Sequence, residues 1–303
     1  MQGPNPNATG TPFVETHRGF VNTWECDENA HMNVQFYFRA FQQASEIFSL
    51  QANGSNAGSR SAIVRHVRYH RELAVARSTL VRSAVLGEGE HAGAIVHLLF
   101  DADSGELSAT ALDRPGYRVT GMPVCKAADV GSAMPRGVAS GPTLPENTQV
   151  MIDAGRAFVS GFTVTRADDH GEDGDMLANA LVSRLTDAAA HVWTFAGIAA
   201  DWLIGTRHGR VAVETKLTRY TRIEAGAALR LVSWIGVMEE KTFTIRHQFE
   251  DMATGEAVAA ADIRCLVMNL ESRRAVPVPQ HARDAFAALT GQAAPTDTRP
   301  RTG

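Results

Sequence analysis

Cysteine is scarce in this chain: three among 303 residues, Cys26, Cys125 and Cys265, odd in number and far apart. That argues against a disulfide framework and fits a reducing compartment, so the expected location is cytoplasmic. An excess of positive charge is missing too, with 33 acidic against 29 basic side chains and a formal charge of −4. This is the wrong sign for gripping phosphate backbones, so no nucleic acid is expected as a partner. No apolar run approaches the about 18 residues of a membrane helix. Residues 1–12 are polar, broken by Pro and Gly and without charge, unlike a signal peptide or an anchor, so no membrane partner is expected either. Neither a Gly-rich phosphate loop nor a paired Cys-x-x-Cys site occurs, and the sequence calls for no metal and no cofactor.

What is present suffices for a sizeable core: 44% hydrophobic and 20% charged residues, ordinary for a globular protein. The length allows two domains, and an internal repeat decides for two. Residues 95–106 (IVHLLFDADSGE) return as residues 245–256 (IRHQFEDMATGE) at a constant offset (247 − 97 = 150). Ser83 and Ser233 share that offset; residues 69–71 resemble 220–222 one residue further on, and Met32 and Ala44 match Met176 and Ala188 at 144.

Each unit reads as a strand, a long helix and several antiparallel strands, an α+β arrangement in which helix and sheet bury each other's apolar faces. The first helix starts near Val34, with Tyr37, Phe41, Ala44 and Phe48 on one face and Arg39, Gln42, Gln43 and Glu46 on a polar stripe. Strands are expected near 62–70, 79–87, 92–102 and 107–112, after a loop at 51–61. A second helix over 175–193 buries Leu177, Leu181, Leu185, Ala188 and Val192. The expected organisation is a disordered tail at 1–12, a first unit at 13–114, a linker without periodicity at 115–148, a second unit at 149–279, and a tail at 280–303 with a short helix near 281–289.

The chemistry-bearing stretch is residues 24–33, just ahead of the first helix, which sets the Asp27 carboxylate beside unpaired backbone N–H groups. Read alone, Asp27 is as well a helix-entry residue, and Asn29 and Asn33 are both candidate N-caps. His31 is as well a structural hydrogen-bond donor, and Tyr37 on the apolar stripe more often belongs to the core. Cys26, adjacent to Asp27 in an extended segment, should point the other way. His97 and His247 recur at equivalent strand positions, which reads as a repeated packing need. Arg65, His66, Arg68, His70 and Arg71 make a basic strand, read first as a solvated sheet face and second as a phosphate contact.

Residues 27–37 (DENAHMNVQFY) resemble the Asp-x-x-Gly-His-x-Asn-x-x-x-Tyr signature of hotdog-fold acyl-CoA thioesterases of the 4-hydroxybenzoyl-CoA thioesterase type. Residues 64–73 and the turn at 101–106 also resemble that family, and residues 239–242, 251–256 and 271–274 resemble the C-terminal half of its tandem members. The resemblance implies a double hotdog: two long helices, each wrapped by a curved antiparallel sheet, paired within one chain as a pseudo-dimer. It implies an acyl-CoA substrate, Asp27 as nucleophile or general base, His31 and Asn33 as catalytic partners, and Val34 and Tyr37 as substrate-binding residues. It leaves room for a homo-oligomer of pseudo-dimers. Ala30 stands where the family commonly has Gly. In the second unit Gly171 stands five before Met176, where Asp is expected, while Asp168, Asp169, Glu172 and Asp173 lie nearby out of register. One working and one degenerate site are therefore expected. Hotdog enoyl-CoA hydratases carry Asp-x-Asn-Pro-x-His; Asp27, Asn29 and His31 echo it, but Ala30 replaces Pro and His31 comes one residue early. A non-catalytic acyl-binding hotdog protein is the third reading.

Overall fold

A computed structural model of the chain describes residues 12–53, 62–116 and 119–290. All but the last residue of the expected N-terminal tail, most of the loop at 51–61 and the chain end after residue 290 lie outside the described residues. The first unit comprises β1 (Val14–Phe20), α1 (Val34–Asn53), β2 (Val64–Tyr69), β3 (Ser78–Leu86), β4 (Ile95–Asp101) and β5 (Leu107–Arg114). After it come β6 (Val124–Cys125), a 3-10 turn at Ala127–Ala133 and α2 (Thr148–Asp153). The second unit has β7 (Ala157–Val164), α3 (Ala178–Phe195), α4 (Ala200–Thr206), β8 (His208–Arg219), β9 (Ala228–Met238), β10 (Thr242–Asp251) and β11 (Ala257–Asn269). β12 (Arg274–Val276) and α5 (Gln280–Thr290) follow.

The strands form one sheet in the order β1-β3-β4-β5-β2-β8-β11-β10-β9-β7, with β6 beside β3 and β12 beside β11. The order reads the same from either end, and β2 against β8 is the junction. Helix α1 packs on β1, β3 and β4, α3 packs on β7 and β9, and the two helices pack on each other. This is the tandem double hotdog. A single core runs through both units, with Phe41, Val81 and Leu99 from the first and Leu181, Leu231 and Phe249 from the second. Among the described residues no helix is long and apolar enough to cross a membrane, and all three cysteines are free.

The apolar stripe of α1 is where the 3.6-residue period puts it: Tyr37, Phe41, Ala44 and Phe48 are buried. Gln42 departs from the expected polar stripe. It is buried, and its Oε1 accepts from Arg65 Nη1 at 3.2 Å.

Backbone hydrogen bonds fix the repeat register and correct one block of it. The N–H groups of His70 and Arg71 both donate to Ser108 O, and those of Tyr220 and Thr221 both donate to Val258 O. His70 therefore matches Tyr220 (220 − 70 = 150), and the shared Tyr-x-Arg is an accident of sequence. Both edge strands carry a bulge, between Glu15 and His17 and between Val159 and Gly161. At each bulge a hydroxyl turns inward: Thr16 onto Ser83 (2.7 Å) and Ser160 onto Ser233 (2.6 Å). Ser83 meets His97 Nδ1 at 2.6 Å and Ser233 meets His247 Nδ1 at 2.7 Å, so the repeated histidines are packed identically on this side.

The basic strand β2 is neither solvated nor open to a ligand at its centre. Lying mid-sheet, it is covered on both faces, and Arg65 and His66 are each 2% exposed. Arg65 pairs with Asp113 through two bonds (2.8 and 2.6 Å) beneath α1. Burial alone would raise the Asp113 carboxyl; Arg65 overrides it and holds it well below the usual carboxylate range.

On the opposite face lies the stretch read as a plain linker. It is a strap, hydrogen-bonded across the outer side of the junction. Glu214 accepts the N–H groups of Arg136, Gly137 and Val138 (3.0, 2.7 and 3.2 Å), and Lys216 Nζ donates to Ala139 O and Gly141 O (3.0 and 2.9 Å). Further along, Thr143 bonds Thr218 and Asp262, Glu146 exchanges bonds with Gln248, and Thr148 bonds Glu250. These partners are polar groups far away in sequence, so they leave no period in the stretch.

Candidate active site

Between β1 and α1 the chain makes a tight, internally bonded loop. Asp27 N–H donates to His31 O (2.8 Å) and Ala30 N–H to Asp27 O (3.1 Å), with Ala30 at φ +60°. That left-handed conformation explains why glycine suits the position. Asp27 Oδ1 accepts the backbone N–H groups of Asn29 (2.8 Å) and His31 (3.2 Å), which fixes the carboxylate's direction. Among the described residues, Oδ2 has no protein partner.

Asn33 is the cap of α1 and Asn29 is not: Asn33 Oδ1 accepts from Gln35 N at 3.1 Å, whereas Asn29 sits in the turn. The loop is anchored beneath by Glu25, 1% exposed, whose carbonyl accepts Asn33 N–H (2.8 Å) and whose carboxylate binds Arg39. Among the described residues no acceptor stands on the Val34 N–H, at the positive end of the helix. The site thus combines a held carboxylate with an unpaired first-turn donor.

Tyr37 belongs to the core. Its hydroxyl accepts from Leu73 N at 3.2 Å, its ring meets Tyr69 edge-on at 5.3 Å, and burial pushes its pKa up to about 12. Among the described residues nothing around Cys26 activates its thiol. Its thiol donates to Asn22 O (3.4 Å) and is shifted up by desolvation first, then by the charges of Asp27 and Glu25. Among the described residues no cluster of three or more His, Cys, Asp or Glu is placed to hold a metal. Two surface cavities, of about 380 Å³ beside the 88–91 turn and about 220 Å³ between β7 and α3, are not lined by the loop.

The second unit repeats the backbone of this loop without its acid. Gly171 N–H donates to Asp175 O (2.9 Å), Gly174 N–H to Gly171 O (2.9 Å) and Leu177 N–H to Asp169 O (2.8 Å). Gly171 stands at the Asp27 position (171 − 27 = 144), and Gly174, at φ +72°, stands at that of Ala30.

Sequence reasoning missed the residues that reach the loop from afar. Glu72 Oε2 lies 3.5 Å from His31 Nδ1 and is itself bound by Arg273. Arg210 Nη2 is 3.2 Å from Glu28 Oε1, and Thr186 Oγ1 donates to Asn33 Oδ1 at 3.2 Å. Only tertiary structure brings these partners together.

The model of the thioesterase-like superfamily matches residues 21–122 and 172–286. Among solved structures, an acyl-ACP thioesterase from Bacteroides thetaiotaomicron is similar over 84% of this chain and 98% of its own, with a TM-score of 0.57 at 9% identity. A putative oleoyl thioesterase from Lactobacillus plantarum gives 0.55 at 12% identity, covering 86% of this chain and 98% of its own. A 12:0-ACP thioesterase from Umbellularia californica gives 0.54 at 13%, covering 84% and 94%. At such identities the likeness is one of fold. No curated protein matches the sequence.

Proposed function

The chain belongs to the thioesterase-like superfamily, and on that premise we propose that it is an acyl-thioester hydrolase working at the Asp27 loop of its first unit. The observation that carries this reading is the Asp27 carboxylate, with Oδ1 held by two backbone N–H groups and Oδ2 without a protein partner among the described residues. A thioester carbonyl over the helix start would meet the Val34 N–H, which stabilises the oxyanion as charge develops. Oδ2 then either attacks the carbonyl to give an anhydride or takes a proton from the attacking water. The thiolate of the carrier leaves without needing a general acid.

His31 and Asn33 act as partners at the same turn: Asn33 caps the helix whose N–H is used, and His31 lends its backbone N–H to Asp27. In this reading the second unit is degenerate, since Gly171 offers no carboxylate, and the carrier is coenzyme A in a cytoplasmic setting. Two of the similar structures are named for acyl-carrier-protein thioesters, so acyl-carrier protein is the competing carrier.

The test is thiol release from hexanoyl-, dodecanoyl- and benzoyl-CoA, and from dodecanoyl-loaded acyl-carrier protein, by wild type and Asp27→Asn. The expected result is turnover by wild type and a loss of about a hundredfold in kcat/KM, roughly 2.7 kcal/mol, in a folded variant. Hydration of crotonyl-CoA without thiol release would move the assignment to a hydratase. Binding without turnover of any of them would leave an acyl-binding protein.

A further inference from the structure

The first unit's loop is held in part by the second unit. Thr186 on α3 bonds Asn33, Arg210 on β8 bonds Glu28, and Arg273, between β11 and β12, bonds Glu72. The last of these leads to a ring: Glu72 Oε2 faces His31 Nδ1 at 3.5 Å, while the His31 backbone is bonded to Asp27 in both directions. Glu72 is 36% exposed, so without a second partner its side chain would rotate freely. Arg273 sits at φ +56°, a left-handed position that glycine fills without strain. The side chain is what an arginine adds there.

We propose that Arg273 and Glu72 form a positioning chain for His31, through which the second unit, which has Gly171 at the Asp27 position, sets the ring orientation in the first unit's site. The carboxylate opposite Nδ1 favours the tautomer with its proton on that nitrogen and leaves the Nε2 lone pair available, and the guanidinium keeps the carboxylate in place. This rests on the hydrolase reading for its kinetic consequence, but not for its geometric one.

The experiment compares Arg273→Ala and Arg273→Lys, each with and without His31→Gln, by steady-state hydrolysis of dodecanoyl-CoA and by nitrogen NMR of the His31 ring. Arg273→Ala is expected to lower kcat about tenfold with KM held within about twofold, the signature of lost alignment rather than lost binding. Arg273→Lys should recover most of that loss. In the His31→Gln background the same alanine change should cost less than about twofold, because the partner it acts through is gone. The ring signals should report one tautomer in wild type and a mixture in Arg273→Ala. Additive losses in the double mutant, or ring signals unchanged by Arg273→Ala, would overturn the proposal. Should wild type hydrolyse none of the thioesters, the hydrolase reading falls, and the ring signals still decide the positioning chain.

Discussion

His66 faces Lys216 where β2 pairs with β8, and the two are each other's counterparts in the repeat (216 − 66 = 150). The axis relating the units therefore runs between them. In a symmetric dimer of identical units this position would face its own copy, setting two like groups side by side. The single chain lets them differ: His66 Nε2 meets Glu214 at 2.5 Å and Lys216 Nζ meets Asp262 at 3.0 Å. Both pairs are buried, where an unpartnered charge is severely destabilising.

Glu214→Gln is expected to cost about 2 to 3 kcal/mol at neutral pH, the loss of charged acceptance from buried donors. Burial pushes the Glu214 carboxyl up, but the His66 hydrogen bond and then the Arg136 and Gly137 N–H groups bring it down to about 2, below its ordinary 4.5. A depressed acid contributes stability that is complete above pH 4.5 and is lost as pH falls toward 2. Urea unfolding of wild type and variant should therefore differ most near pH 7 and converge at the acid end, and amide exchange at Gly137 and Val138 should quicken in the variant.

His247→Asn should flatten the acid limb of stability over a window that opens at higher pH. Burial pushes the His247 imidazole down from 6.5 to about 3, against the opposing pull of Asp262. The unfolded chain binds this proton below pH 6.5 while the folded chain refuses it until about 3, so wild type loses stability as pH falls between those values. One such proton contributes a slope of up to about 1.4 kcal/mol per pH unit. Unfolding free energies measured at steps from pH 7 to pH 4 should show that slope reduced in the variant.

Ala30→Gly should stabilise the chain by about 0.5 to 1 kcal/mol, because relief of the left-handed strain outweighs the extra freedom of glycine when unfolded. The side chain is exposed at φ +60°, so no packing is lost. Chemical denaturation with an unchanged denaturant slope is the measurement.

The legible parts of the fold are those written locally. The stripe from Tyr37 to Phe48 follows from helical period, and the Asp101 turn returns intact as the Asp251 turn, so helix, hairpin and duplication can be read without coordinates. Asp27 and the Asn33 cap are legible for the same reason, since their bonds span only a few residues. What escapes is what a period cannot carry. Gln42 looks solvated until Arg65 comes down upon it, and the strap looks idle until Glu214 gathers three of its N–H groups. Arg273 lies 201 residues from Glu72, and nothing near either one announces the other.

Joining β2 to β8 also changes how copies of this chain can meet. Two separate five-stranded sheets would offer four open edges, each a template for another strand; the joined sheet offers β1 and β7. Both are interrupted by the bulges that turn Thr16 and Ser160 inward, and a kinked edge is a poor template for ladder growth. Pairing β2 with β8 thus works against ladder growth: among the described residues it takes two of the four edges inside the molecule and leaves the other two bulged.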